Sequence, residues 1–422
     1  MIHVRPFAAL RPPANRASEV SCPPYDVVSR DEALAAAQGR DASFMRVVRP
    51  DIDFPESPPP SDAQLAARAR TNLDAMISSG ALLPDARSQF YVYRMARAGR
   101  RVAGLVCCVD VGDYRSGAIR RHEHTRPDKE ADRVRHIMSV GAHAEPVLLA
   151  VPKVDELPRQ LLRDMNDRPL VHFAARDGVT HSLWSVHDPA PYVEMFSGVD
   201  RVYIADGHHR SAAADAAERE WRTRGLPSDG LGPGAFPAVI FPSEELAILP
   251  YHRLVRDIGG LSPVEFRDRC ERNGTQWRRL TDGENALPDF RGELGIRLHD
   301  GWWRATLPPC TGSPLECLDV SRLSQAILAP VLGIRDERTD SRIAFLGGVG
   351  ADRLDAEVES GRADAAFAMR ATDIGDLMAI ADRDEVMPPK STWFDPKIRS
   401  GLFLHRFATA GCAGANPHGR SQ

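Results

Sequence analysis

The chain has 422 residues, with 54 Lys+Arg against 58 Asp+Glu, a formal net charge of −4 and 43% hydrophobic residues. This balanced charge excludes the strongly basic surface of a general nucleic-acid-binding protein. No apolar run reaches the roughly 18 residues that a membrane helix needs, and the N-terminal sequence lacks the apolar core of a signal peptide. We therefore expect a cytoplasmic protein of two or three domains, with no membrane or nucleic-acid partner.

Two residue types stand out in the composition. The seven cysteines are odd in number and include no CxxC pair, which favours reduced thiols over a disulfide framework. Lysine is scarce, because 50 of the 54 basic residues are arginine. GC-rich coding explains such an imbalance, but the positions that remain lysine are still informative: Lys129, Lys153, Lys390 and Lys397.

The first segment, about residues 1–88, combines proline-rich connectors with helices. Ser29 is a predicted N-cap, with Glu32 three residues later completing a capping box. The stretch 50–62 is rich in proline and predicts an exposed connector. A helix is expected from about residue 63 to residue 79, ending at Gly80.

The second segment, about residues 89–249, begins with strands. FYVYRM and RVAGLVCCVDV flank a short AGR turn, which predicts a β-hairpin. A dense polar stretch follows, then the apolar run EPVLLAV, and a turn at 176–178 between two further strands. RVYIA predicts a short buried strand, and an alanine-rich helix is expected to run to Gly225.

The third segment, about residues 250–407, mixes helices with short strands, and the tail 408–422 is predicted to be disordered. The whole pattern predicts an α+β or mixed α/β protein with no internal repeat.

The strongest local signal is the sequence ADGHHR, a predicted strand, a glycine turn and a helix start. Such a junction directs helix N-terminal N–H groups at one point and favours an anion. Asp206, Gly207, His208, His209 and Arg210 are therefore the predicted phosphate- or nucleotide-binding residues. Asp206 has two further interpretations, as a metal ligand or as a group that orients a histidine. The alternative for the motif as a whole is an ordinary capped turn with surface histidines.

The second signal is the sequence RHEHTRPDKEADR, which lies between two apolar segments. If residues 121–124 are extended, His122 and His124 share one face and Glu123 takes the other, where a carboxylate could act as a general base. A metal site with His122 and His124 as ligands is the competing interpretation, although the zinc-protease pattern HExxH is absent. The third interpretation is that this charged stretch is simply a solvated surface. The candidate residues of this motif are Arg121, His122, Glu123, Thr125 and Lys129.

The third signal, residues 387–403, holds three prolines and a glycine, which predicts an ordered loop rather than a helix. Lys390, Ser391 and Thr392 are its candidate substrate or loop residues. Because three of the chain's four lysines fall in the second and third signals, we predict that Lys129 or Lys390 reaches the anion site. Both loop lysines, Lys390 and Lys397, would instead face solvent if the loop has no role in binding.

Seven motifs in order, among them RPFAALRP, CPPYDVVS, IRRHEHTRPDKEADR, YIADGHHR and MPPKSTWFDPKIRSGLF, resemble those of the domain of unknown function 1015 family. The resemblance covers about residues 3–405. Ser211 departs from it, because an aromatic residue is expected after DGHHR. The DGHHR segment also resembles the phosphate-binding corner of the ParB/sulfiredoxin superfamily, so the resemblance implies a ParB/sulfiredoxin-like mixed core with additional N-terminal and C-terminal α/β segments.

That resemblance implies a nucleotide-dependent kinase acting on a metabolite hydroxyl, free L-serine above all, with Mg²⁺ and ATP or ADP. The implied base is Glu123, with His122 and Lys129 beside it. The alternative is a ParB-like nucleotide-binding switch or binding module without metabolite turnover. Redox repair like that of sulfiredoxin would need a cysteine in the loop after RVYIA, where histidines stand. The resemblance leaves a homo-oligomer open.

Overall fold

A computed structural model describes residues 1–281 and 283–407. The predicted tail 408–422 and Cys412 lie outside the described residues. The chain divides into two compact units, of which the first comprises Met1–Leu246 and the chain from Pro396 onward, and the second comprises Ala247–Asp395. This division differs from the three predicted segments, since residues 1–88 and 89–246 share one unit and the end of the chain returns to it.

Most of the longer strands lie in two sheets, one in each unit. In chain order the strands are β1 Val4–Arg5, β2 Leu10–Arg11, β3 Leu83–Pro84, β4 Tyr91–Arg97, β5 Arg100–Asp110, β6 Ile119–Arg120, β7 Ala142–His143, β8 Val147–Val151, β9 Val171–Ala174, β10 Thr180–Ser185, β11 Val202–Asp206, β12 Ala235–Pro242, β13 Ala247–Leu249, β14 Tyr251–Val255, β15 Gln276–Arg279, β16 Glu293–Leu298, β17 Gly301–Thr306, β18 Ile343–Gly347, β19 Ala365–Ala368, β20 Trp393–Asp395 and β21 His405–Arg406.

The helices are mostly short. They are α1 Ala17–Val20, α2 Arg30–Ala37, α3 Met45–Val48, α4 Asp62–Ser78, α5 Val111–Arg115, α6 Pro127–Val140, α7 Glu156–Asp164, α8 Ala190–Ser197, α9 His208–Thr223, α10 Pro263–Arg272, α11 Asp319–Leu323, α12 Ala329–Leu332, α13 Ala351–Glu359 and α14 Ile374–Asp382. Two 3₁₀ turns, Pro50–Asp53 and Ser243–Glu245, and a π-helical turn, Ser324–Leu328, complete them. Within the described part of the chain, no helix is long and apolar enough to cross a membrane.

The first unit is built on a nine-stranded mixed sheet in the order β6-β11-β8-β12-β5-β4-β10-β9, with β1 paired to β5. β6 runs parallel to β11 and β8 parallel to β12, whereas the other pairs are antiparallel. Every residue of β8 and β12 is buried, as expected for central strands covered on both faces. A Cβ on Gly104 of β5 would lie 2.8 Å from the carbonyl oxygen of Ile240 in β12, so this position requires glycine. The mixed α/β prediction is confirmed.

Several local predictions are confirmed in the same unit. Ser29 caps α2 in a capping box with Glu32, and α4 ends at Ser78, two residues before Gly80. The β4–β5 and β9–β10 hairpins form as predicted. Each of these elements forms from residues that are close in sequence, so local patterns were enough to predict it.

The second unit holds a six-stranded sheet in the order β15-β17-β16-β19-β14-β18, with antiparallel pairs throughout. Arg253 of β14 is fully buried and pairs with Glu337 at 3.1 Å. Its guanidinium also donates to the carbonyls of Pro389 and Lys390. This buried arginine therefore anchors residues 389 and 390 of the predicted loop 387–403. The segment is not helical, as expected, but it includes the short strand β20.

The prediction of reduced thiols is wrong for two cysteines. Cys310 and Cys317 form a disulfide, while Cys22, Cys107, Cys108 and Cys270 are free and buried. The short turn between the partners brings their Cα atoms to 5.5 Å, helped by the Cys317 amide, which donates to the carbonyl of Ser313 at 3.0 Å. Counting cysteines and searching for CxxC could not detect this turn.

Stability is expected to fall as pH drops below about 6.5, because buried histidines in the first unit are held neutral. Burial lowers the pKa of His405 to about 4, of His136 to about 4 and of His143 to about 3. Below pH 6.5 the unfolded chain takes up protons that the folded chain refuses, so each such group lowers the free energy of unfolding by about 1.4 kcal/mol per pH unit. Urea unfolding between pH 7.5 and 4.5 measures this slope.

The matched variant is His405→Gln, whose side-chain amide can still donate to the carbonyl of Gly232, the acceptor of the His405 ring at 2.9 Å. The slope of the variant should be shallower than that of the wild type by about one proton. Equal slopes would contradict a neutral buried His405.

Candidate functional site

The candidate site lies at one edge of the first unit's sheet, where three chain segments meet. Parallel pairing sets Val202 opposite Ile119 and Tyr203 opposite Arg120. The residues that follow β6 and those that follow β11 therefore emerge at the same edge. β8 runs antiparallel to β11 and starts there, so the residues preceding Val147 reach this edge too. The strand register thus brings the RHEH and DGHHR motifs together.

Gly207 makes the sharp connection from β11 to α9. Its φ of 114° lies in the left-handed region that favours glycine. A Cβ there would also lie 3.2 Å from the Arg210 guanidinium carbon and 3.3 Å from a methyl group of Val147. The predicted strand, glycine turn and helix start are confirmed. Because the first N–H groups of a helix have no acceptor within it, those of residues 208–210 point outward at this edge. Ser211, the departure from the family pattern, is buried and donates its hydroxyl to the carbonyl of Gly207 at 3.2 Å.

Asp206 is the electrostatic centre of the site. Its Oδ2 accepts from the Arg210 guanidinium at 2.7 Å, and its Oδ1 accepts from Lys397 Nζ at 3.3 Å. Burial by itself would raise the pKa of Asp206, but Lys397 and Arg210 outweigh it and hold the pKa far below its ordinary value. Both oxygens are engaged by cations, and the two alternative roles of Asp206, as a metal ligand or as a group that orients a histidine, stay predictions.

Arg210 is 6% exposed and is held from more than one side. Besides Asp206, its guanidinium donates to the carbonyl of Pro146, the residue before β8. Its Nε is buried with no hydrogen-bond partner among the described residues. Burial by itself would lower the pKa of Arg210. The negative charges of Asp206, Asp26 and Glu145 have the larger effect and raise that pKa above its ordinary value. Arg210 therefore stays a cation, with a donor still unused.

His208 and His209 hold the Glu123 segment. The His122 amide donates to His208 Nε2 at 3.4 Å, and the Arg126 amide donates to His209 Nε2 at 3.1 Å. Burial, reinforced by His122, lowers the pKa of His208 well below its ordinary value. An anion at this helix end would therefore meet backbone N–H groups rather than a charged His208 ring. Phosphate binding by the two histidines stays a prediction.

Residues 122–124 do not show the alternation that an extended segment predicts. His122 is 2% exposed and His124 is exposed, so the two histidines do not share a face. The chain is irregular from residue 121 to residue 126, which removes the alternation. Glu123 is 33% exposed, and its Oε2 lies 4.0 Å from His208 Nδ1. His122, Glu123 and His208 each offer one atom to a group whose members all lie within 4.8 Å of one another. The residues that could hold a metal ion are therefore these three rather than His122 with His124.

The remaining candidates of the RHEH motif lie around this group. The guanidinium of Arg121, an exposed residue, lies 5.2 Å from the ring centroid of Tyr114. Thr125 donates its hydroxyl to Glu130 at 3.1 Å, and Lys129 is exposed in the first turn of α6. The catalytic role predicted for Lys129 and the substrate or loop role predicted for Arg121 and Thr125 stay predictions.

The lysine paired with Asp206 is Lys397, which the prediction did not name. Lys390, Ser391 and Thr392 belong to the second unit, where Lys390 has a φ of 56° and its ammonium lies 5.7 Å from the ring centroid of Tyr251. Lys397 follows the return of the chain to the first unit. The scarcity of lysine had drawn attention to Lys397 as much as to Lys390, since both lie in residues 387–403. The sequence did not show which of these two lysines belongs to the first unit.

Sequence reasoning missed a buried polar cluster behind Arg210. Glu145 is 7% exposed and accepts from Ser400 Oγ at 2.9 Å and from Arg133 at 3.5 Å. The Arg133 guanidinium lies 4.1 Å from the ring centroid of Tyr25. A cavity of about 20 Å³, room for about one water molecule, is lined in part by Arg133, Glu145 and Arg210. Tyr25 and Arg133 belong to the family motifs CPPYD and EADR. Those two motifs were therefore the sequence features from which this cluster could have been predicted.

Comparison with known proteins identifies the family. Residues 4–321 match the family described as protein of unknown function DUF1015, and the chain belongs to that family. No curated protein matches the sequence.

Comparison with solved structures finds matches to several proteins. A conserved hypothetical protein from Pyrococcus furiosus is 16% identical, with 71% of this chain and 95% of that chain covered and a TM-score of 0.37. A free serine kinase in complex with AMP is 17% identical, with 70% and 92% covered and a TM-score of 0.37. SbnI from Staphylococcus aureus, with a C-terminal truncation, is 12% identical, with 71% and 87% covered and a TM-score of 0.37.

Replacing Asp206 by asparagine should destabilise the protein strongly. The variant Asp206→Asn leaves the cations of Arg210 and Lys397 partly or fully buried without their counter-charge, a change that costs about 3–5 kcal/mol at buried pairs. The control is Asp155→Asn, which removes the partner of another lysine, Lys153, in an exposed pair 3.5 Å apart. Its free energy of unfolding should change by less than about 1 kcal/mol. Urea unfolding of both variants measures the contrast, and equal effects would contradict the role given to Asp206.

Gly207→Ala should destabilise the turn by about 1–3 kcal/mol, because alanine is strained at this positive φ and its Cβ would press on Arg210. Gly112→Ala is the control, since a Cβ there meets nothing within 4 Å and the site is helical. The control should be neutral or slightly more stable. Thermal unfolding of both variants measures the difference in stability. A Gly207→Ala variant as stable as the wild type would contradict a strained turn at this position.

Proposed function

We propose that the protein transfers a phosphoryl group from ATP or ADP to the hydroxyl of a small metabolite. The observation that carries the proposal is the pairing of Asp206 with Arg210 and Lys397 at the N-terminal end of α9. One carboxylate holds two cations, so this side-chain group keeps a net positive charge where helix N–H groups also converge. Phosphoryl transfer depends mainly on such positioning and charge neutralisation.

Glu123 is the proposed general base. It is partly exposed, and its Oε2 lies 4.0 Å from His208, the first residue of α9. A substrate hydroxyl beside it would give its proton to the carboxylate. The hydroxyl oxygen would then bond to the terminal phosphorus while the bond from that phosphorus to the nucleotide breaks. The hydrogen bonds from His122 and Arg126 to the two histidines flank Glu123 and keep the segment at this position.

Mg²⁺ is the proposed companion of the nucleotide, because it prefers phosphate, water and carboxylate oxygens. Free L-serine is the first acceptor to test, as the family resemblance implies. The ParB/sulfiredoxin relationship of the core and the absence of a nucleic-acid partner stay predictions.

The test uses the purified full chain with Mg²⁺ and either ATP or ADP, followed by phosphorus NMR. We expect a new phosphomonoester with L-serine or with one pool of amino acids and polyols. Glu123→Gln should lower kcat/KM by about 10²- to 10⁴-fold, the usual contribution of a general base. The control Asp128→Asn, in the same segment and exposed, should behave like the wild type.

Absence of phosphorylated product with every pool would overturn the proposal, as would a Glu123→Gln variant as active as the wild type. Nucleotide binding without product would instead support the alternative, a nucleotide-binding switch.

A further inference from the structure

We propose that His122, Glu123 and His208 together bind one divalent first-row transition ion, through one atom of each side chain. The inference goes beyond phosphoryl transfer, because it concerns an ion bound by the protein alone, without nucleotide. Two imidazoles and one carboxylate form a ligand set that such ions prefer, with positions left open for a further ligand.

The spacing of the three groups suits an ion between them. Metal–nitrogen and metal–oxygen bonds of about 2.0–2.2 Å place tetrahedral ligand atoms about 3.4 Å apart. The three potential ligand atoms already lie within 4.8 Å of one another. The distance from His208 Nδ1 to Glu123 Oε2, 4.0 Å, is too long for a direct hydrogen bond. A modest rotation of the partly exposed Glu123 side chain closes that difference. Binding of the ion through Nδ1 puts the single proton of the neutral His208 ring on Nε2, so the contact from the His122 amide to Nε2 has to open.

The two histidines are held in place by the fold. His208 is the first residue of α9, fixed by the Gly207 turn, and His122 follows β6 by two residues. The His122 ring also donates to the backbone carbonyl of Ile204 in β11. A second hydrogen bond of this kind is the usual way in which a protein orients a histidine ligand. The contact from the His122 amide to His208 Nε2 is 3.4 Å, so little is lost if ion binding lengthens it.

The donor atoms decide the kind of ion. Mg²⁺ favours an all-oxygen, octahedral shell and keeps several waters, whereas imidazole nitrogen suits Zn²⁺, Cu²⁺, Fe²⁺ and Ni²⁺. The site is therefore distinct in chemistry from the Mg²⁺ that would arrive with a nucleotide. A Glu123 that binds the ion through one oxygen keeps its second oxygen for a proton, so the base role and the ion are compatible.

The experiment strips the full chain with a chelator and titrates it with Zn²⁺ and separately with Co²⁺. We expect one equivalent of Zn²⁺ per chain by elemental analysis and a visible Co²⁺ absorption band from nitrogen and oxygen ligands. Excess Mg²⁺ should not displace either ion. Glu123→Gln and His208→Gln should each weaken Zn²⁺ binding at least about 100-fold, more than the usual loss of a supporting residue.

The matched control is His124→Gln, which removes an exposed histidine from the same segment and should leave Zn²⁺ affinity unchanged. Thermal unfolding of each variant checks that it is folded. If His208→Gln does not fold, the Glu123→Gln result decides, because Glu123 is partly exposed. The proposal is overturned if Zn²⁺ binding survives in Glu123→Gln, if His124→Gln loses it equally, or if the wild type binds no equivalent. None of these outcomes bears on phosphoryl transfer, since the assay contains no nucleotide and needs no turnover.

Discussion

The double ion pair of Asp206 is the interaction on which the rest of the site depends. One partly buried carboxylate joins the end of β11, the first turn of α9 through Arg210, and the returning C-terminal segment through Lys397. Removal of the carboxylate would leave the buried Arg210 cation without its counter-charge, which is costly. The same constraint keeps Arg210 charged and immobile, so a positive group is positioned in advance where helix N–H groups converge.

A second constraint acts through neutral histidines. His208 and His209 accept hydrogen bonds from the backbone on either side of Glu123, so they fix an irregular segment that has no regular secondary structure of its own. Elsewhere in the first unit, His143 and His405 donate to the neighbouring carbonyls of Pro233 and Gly232 and secure the last described strand. Burial lowers the pKa of His143 and His405, so both rings are neutral at ordinary pH and donate through their single N–H.

Local signals were enough for much of the fold. The capping box of Ser29, the β4–β5 hairpin and the glycine turn after Asp206 each rest on a few adjacent residues, and each was predicted. Alternation failed at His122 and His124, because it assumes a paired strand and this segment is held by side chains instead. The disulfide between Cys310 and Cys317 was missed for a related reason, since a tight turn rather than a motif brings the partners together.

The sequence by itself determined the family, the mixed α/β character and the two motifs that form the site. It also indicated, through the scarcity of lysine, that a lysine from a segment other than DGHHR reaches this site, although it named Lys129 or Lys390. Only the tertiary structure decided which one, because the choice depends on the chain leaving the first unit at Leu246 and re-entering it at Pro396. It likewise selected His208 as the partner of His122 and Glu123, since the parallel register of β6 and β11 brings residues more than eighty positions apart to one edge. Contacts of that range leave no trace in local spacing.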